Sequence, residues 1–162
     1  MKIGIIGTGN MGGALMDAFC KDAENTMIAC NHGQEKLRAV CLRTGAKAAE
    51  TPAETIAGCD LILLAVKPIV MPEILQEIAP MITKDQIIVS IAVGLTIQSY
   101  FDVLGPDKKV VRAMPNTPAA VQAGMTAFSF SDNVTPQEQE SVLKLFSLAG
   151  GTSVLPERLM NA

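Results

Sequence analysis

Residues 2–12 read KIGIIGTGNMG, an apolar run broken at Gly7, with further glycines at 9 and 12, leading directly into the helix-compatible stretch MGGALMDAFC (11–20). A short buried strand followed by G-x-G-x-x-G and a helix has a specific physical use. The first glycine permits a tight turn, the second lets a backbone approach a pyrophosphate, and the third lets the helix pack close on the strand. The helix N-terminus then offers unpaired N–H groups and a partial positive charge to phosphate. The bland alternative is a tight strand-to-helix turn in a chain with 13 glycines.

The surrounding pattern supports the first reading. Short β-rich runs recur as KIGIIG (2–7), MIAC (27–30), LILLAV (61–66), QIIVSI (86–91), KVVRAM (109–114) and MTAFSF (125–130), separated by longer helix-compatible segments. Strands apolar on both faces suit a parallel sheet covered by helices on each side. The expected fold is therefore α/β, a doubly wound, mainly parallel, Rossmann-like sheet.

Helix starts are marked by Thr-Pro pairs at 51–52, 117–118 and 135–136. Thr caps free N–H groups while Pro takes the first helical position, where no N–H is required. Glu54 and Glu138, three residues after their caps, predict two reciprocal capping boxes. Gly150-Gly151 reads as the stop of the last long helix, before a final short strand TSVL (152–155).

The chain has 162 residues and 49% hydrophobic composition, which fits one globular core. No apolar run approaches the ~20 residues of a membrane span, and no signal-peptide pattern opens the sequence, so a cytoplasmic protein is expected. A net charge of −3 with scattered cations gives no reason to expect nucleic acid or membrane partners. Cys20, Cys30, Cys41 and Cys59 lack metal-ligand or disulfide-like spacing and read as buried free thiols.

Ligands of such sheets sit beyond the carboxyl ends of the strands. The junction after the second strand carries Asn31, with no carboxylate to repel a ribose 2′-phosphate, which favours NADPH over NADH. Lys67-Pro68 follows LILLAV, Ala92 to Gly94 follow QIIVSI, and Pro115-Asn116 follows KVVRAM. His32 has no triad partner and reads as a loop residue beside the adenosine ribose.

GTGNMG, AVKP (65–68), SIAVG (90–94) and MPNTPAAVQAG (114–124) together resemble, in order and spacing, the N-terminal domain of pyrroline-5-carboxylate reductase over nearly the whole chain. The resemblance implies hydride reduction of the cyclic imine 1-pyrroline-5-carboxylate to proline, using NADPH or NADH. It places Ile6, Gly7, Thr8, Gly9, Asn10 and Met11 at the pyrophosphate and Asn31 near the adenosine ribose. It places Ala65, Val66, Lys67, Pro68, Ile91, Ala92 and Val93 along the cofactor toward the nicotinamide, and Asn116 beside the carboxamide.

In that family a helical second domain follows, forms a homodimer or higher homo-oligomer, and binds the substrate carboxylate. Residues 1–156 would then be the dinucleotide-binding domain and 157–162 the start of the helical one, with Leu155, Leu159 and Met160 exposed at the junction. No catalytic acid or base is expected within this chain, which alone would turn over poorly. The alternatives are a naturally short regulatory dinucleotide-binding module, or another imine, hydroxyacid or deazaflavin-linked reductase of the same fold.

Overall fold

In the computed structural model, residues 1–116 and 123–161 are described. The elements follow in the order β1 (Lys2–Ile6), α1 (Asn10–Phe19), β2 (Thr26–Cys30), α2 (Gln34–Thr44), β3 (Lys47–Ala48) and α3 (Pro52–Ile56). Next come β4 (Leu61–Leu64), α4 (Met71–Ile78), β5 (Ile87–Ser90), α5 (Ile97–Leu104), β6 (Lys109–Pro115) and β7 (Gly124–Phe130). The last are α6 (Pro136–Ser147), β8 (Gly150–Val154) and a 3₁₀ turn over Glu157–Leu159.

The strands form one sheet in the order β3-β2-β1-β4-β5-β6-β7-β8. Every pairing is parallel except β6 with β7, where Ala113 faces Phe128 in antiparallel register. The chain order reverses beside β1, which pairs with β2 on one side and β4 on the other. That reversal is where a doubly wound sheet opens a crevice at its carboxyl edge.

Alternation along the strands divides the core in two. Ile3, Ile5, Leu61 and Leu63 pack with Leu15 and Phe19 of α1, Leu37 of α2 and Phe146 of α6. Ile6, Ile62, Leu64 and Ile88 pack on the opposite face with Ile56 of α3, Leu75 of α4 and Tyr100 of α5. Phe146 meets Phe19 and Phe128 in T-shaped pairs at centroid distances of 5.2 and 5.0 Å. Burying side chains of this size stabilises by about 1.5–3 kcal/mol each. The double-sided apolar strands thus do what their composition requires.

Several local expectations are corrected. Thr51 and Thr135 do cap α3 and α6, accepting from the N–H groups of Glu54 and Glu138 at 3.2 Å. Neither box closes as expected. The Glu54 carboxylate reaches one residue too far back, to the N–H of Glu50, and Glu138 turns instead to Lys109 Nζ at 2.8 Å. The closed box is at α5, where Thr96 and Ser99 each accept the other's N–H. Thr117-Pro118 and its expected helix lie outside the described residues.

Gly150-Gly151 does not stop α6, which ends at Ser147, but opens β8. Gly150 has φ +138 and lies so close to the backbone of Gly124 that a Cβ would collide. Met160 is 2% exposed rather than open to solvent, whereas Leu155 is half-buried and Leu159 exposed. Cys30 and Cys59 are buried, but Cys20 and Cys41 are only partly so; all four are free.

Candidate functional site

At the carboxyl end of β1 the backbone turns at Gly7, φ +102, whose N–H donates to Cys30 O of β2 at 2.9 Å. A Cβ on Gly7 would stand 2.6 Å from Ala65 O, and one on Gly12 would run into Gly7 O and meet Ala65 Cβ at 3.1 Å. Both glycines are therefore required by close packing of β1, α1 and the β4 junction. Gly9 differs. A Cβ there would meet nothing within 4 Å, so its missing side chain leaves space that the protein itself does not use.

Gly9 is also the N-cap of α1, and no side chain caps that helix. Asn10 and Met11 open its first turn, with Asn10 exposed and Met11 half-buried. Uncapped N–H groups beside an empty glycine form an anion cradle. Thr8, 4% exposed, adds a buried hydroxyl with no hydrogen-bond partner among the described residues. A cradle that a Cβ would fill, unpaired helix N–H groups and an orphaned hydroxyl fit the pyrophosphate of a dinucleotide.

Asn31 braces this loop from β2. Its Oδ1 accepts from Thr8 N–H at 2.9 Å and its Nδ2 donates to Gly33 O at 2.9 Å. The second N–H of that amide has no partner among the described residues. Beside it, Cys30 is pushed up by burial, partly offset by its hydrogen bond with Thr55, so its thiol stays protonated and is no nucleophile. His32 is exposed in the same loop.

The remaining expected residues occupy the same sheet edge. Ala65 N–H donates to Ile6 O at 2.8 Å, carrying β4's junction against the glycine loop, and Val66 is half-buried. Lys67 and Pro68 are exposed ahead of α4, and Lys67 makes no ion pair among the described residues. Ile91 N–H donates to Leu64 O at 3.1 Å, and Ala92 N–H to Ser90 Oγ at 3.2 Å. Val93 follows with 68% of its surface exposed.

Asn116 directly follows β6 and is exposed. Its Oδ1 accepts from Met125 N–H at 2.9 Å, closing the β6–β7 ladder, while its Nδ2 remains to donate. Sequence reasoning missed the polar network behind this edge. Arg112 of β6, 3% exposed, donates to Glu157 at 3.1 Å and to Asn161 at 2.9 Å. The signal was a lone arginine inside the apolar run KVVRAM.

A family model for the coenzyme F420-dependent NADP oxidoreductases matches residues 2–94, from β1 through the glycine loop to the β5 junction. The chain belongs to that family. Among the chain's relatives, pyrroline-5-carboxylate reductase of Escherichia coli is 37% identical over 99% of this chain and 61% of its own length. Solved structures extend the likeness. A pyrroline-5-carboxylate reductase from Coxiella burnetii superposes with a TM-score of 0.88 at 25% identity, covering 94% of this chain and 58% of that one. The Plasmodium falciparum reductase with NADP bound gives 0.86 at 25% identity, covering 98% and 58%.

The chain thus spans about three fifths of the relatives it matches. Among the described residues, no helix of this oxidoreductase-family chain is long and apolar enough to cross a membrane.

Proposed function

We propose that this chain is the cofactor-binding half of a reductase that converts 1-pyrroline-5-carboxylate to L-proline with NADPH, NADH being the alternative donor. The observation that carries the reading is the 37% identity to the Escherichia coli reductase across 99% of this chain. The open cradle at Gly9 beside an uncapped α1 supports it independently. NADPH is favoured because Asn31 keeps an amide N–H, while Lys36 and Arg38 stand exposed on α2.

In this reading Ile6 to Met11 hold the pyrophosphate and Asn31 orients the adenosine ribose. Ala65 to Pro68 and Ile91 to Val93 flank the path to the nicotinamide, and Asn116 Nδ2 donates to the carboxamide oxygen. When bound, the reduced nicotinamide supplies the hydride taken up by the C=N carbon of a protonated imine. Holding that imine in line provides most of what the reaction needs, because a protonated C=N is already electrophilic. The exposed apolar side chains of Val93 and Ile69 exclude water once covered by ligand.

The acceptor half of the site, and homodimer formation, we assign to the further length that the relatives carry, with the boundary after residue 156, where the 3₁₀ turn begins. Four free thiols fit a cytoplasmic setting.

Fluorescence titration tests the reading: NADPH should bind the chain more tightly than NADH. Asn116→Ala should weaken NADPH binding about fivefold, the worth of one hydrogen bond near 1 kcal/mol. Unchanged affinity would leave Asn116 only its bracing bond to Met125 and remove it from the cofactor site. Robust imine reduction by the chain alone would overturn the assignment of the acceptor half elsewhere.

A further inference from the structure

Arg112 is a buried cation on the face of the sheet that packs against α5, in register with Ser90 of β5. Its guanidinium donates Nη1 to Glu157 Oε1 at 3.1 Å and Nη2 to Asn161 Oδ1 at 2.9 Å. The same Glu157 oxygen accepts the N–H of Ile97, the first residue of α5, at 2.6 Å. One carboxylate therefore neutralises the buried arginine and satisfies a free donor at a helix N-terminus, where negative charge is favoured.

α5 is the far end of the β5 junction, Ile91 to Thr96, whose near end is fixed by Ser90. Ser90 Oγ accepts from Ala92 N–H and shares a hydrogen bond with the buried Tyr100 hydroxyl, itself on α5. The junction is thus held between two polar anchors, one inside the domain and one supplied by the segment after β8. Between them lie Ile91, Ala92 and Val93, the residues proposed to flank the nicotinamide.

We infer that Arg112 and Glu157 are positioning residues that set the Ile91–Thr96 junction for the cofactor, so that the segment following β8 tunes dinucleotide affinity without touching the ligand. The inference rests on the proposed cofactor site for its affinity arm only. Removing the Glu157 charge leaves Arg112 buried and unbalanced, and costs more than removing both charges together. That inequality belongs to a charge pair and not to general packing.

The test compares wild type, Glu157→Gln, Arg112→Met and the double variant, by backbone hydrogen exchange without cofactor and by NADPH titration. Glu157→Gln is expected to exchange faster over residues 91–97 with residues 7–12 unchanged, and to bind NADPH about fivefold more weakly. The double variant should recover part of both effects. If Glu157→Gln fails to fold, Arg112→Lys takes its place, keeping the charge but losing the fork that spans Glu157 and Asn161. Unchanged exchange over 91–97 in a folded variant, or additive effects in the double variant, overturns the inference. Failure of wild type to bind NADPH overturns the cofactor reading instead, and leaves the exchange comparison to decide this one.

Discussion

Three glycines in one loop do different work. Gly7 and Gly12 are packed against backbone, so Gly12→Ala must push α1 away from Gly7 O and should destabilise the fold by about 1–3 kcal/mol. Gly9 has φ −68, which any L-residue adopts, and free space where its side chain would be. Gly9→Ala should therefore leave the urea midpoint unchanged while weakening NADPH binding tenfold or more. Paired urea melts and NADPH titrations of the two variants check this, and a loss of stability in Gly9→Ala would count against the cradle. The motif's spacing assigns the three glycines different roles in advance; the neighbours of each absent Cβ agree, with Gly7 and Gly12 against protein atoms and Gly9 beside open space. Asn31 and Asn116 were likewise visible as residues at strand ends. Their bracing bonds to Thr8 and Met125 were not, because those bonds join positions whose juxtaposition depends on strand pairing.

Among the elements, the three Thr caps with described helices hold them as their local chemistry dictates. Thr135→Ala removes the acceptor for Glu138 N–H at the start of α6 and should cost about 1 kcal/mol in a chemical melt. Glu138→Gln keeps the cap but weakens a pair with Lys109 whose side chains are 18% and 25% exposed, and a comparable loss is expected in the same melt. Strands β1, β2, β4, β5, β6 and β7 were legible as apolar runs because burial on both faces writes a continuous pattern. β3 was not: two residues, Lys47 and Ala48, both exposed, leave no hydrophobic signature. The antiparallel direction of β7 was also hidden, because apolar composition records burial and not chain direction. β8 was foreseen as TSVL, yet it begins at Gly150, where two glycines from different strands meet. Read singly, each glycine looks like punctuation.

For the molecule as a whole, the buried thiols and the buried phenol set an alkaline limit. Burial pushes Cys30, Cys59 and Tyr100 up from their ordinary values; for Tyr100 the Ser90 hydrogen bond and the Arg112 charge oppose this. The folded state therefore holds these protons more tightly than the unfolded chain does. Their contribution to stability is complete below the ordinary thiol range, about 8.5, and declines as pH rises through it toward the raised folded values. The urea midpoint should fall across that range, and Cys30→Ala should flatten the decline even if it lowers the plateau through lost packing. A midpoint insensitive to pH between about 8 and 10 would sink this account. The Arg112–Glu157 pair is the whole-molecule feature least legible beforehand. Its partners lie 45 positions apart, and neither residue type announces burial.

The strand order carries a consequence for synthesis. β1 is made before both of its neighbours, between which it sits in the sheet, β2 and β4. At ribosomal rates of about 5–20 residues per second, roughly 3–12 s pass between addition of Ile6 and of its partner Leu64. Throughout that interval one row of β1's backbone donors and acceptors has no strand to pair with, and its isoleucines lack the leucines of β4 that complete their packing. The nascent chain is then at its most adhesive, and a chaperone that binds short apolar segments would find KIGII before the protein does.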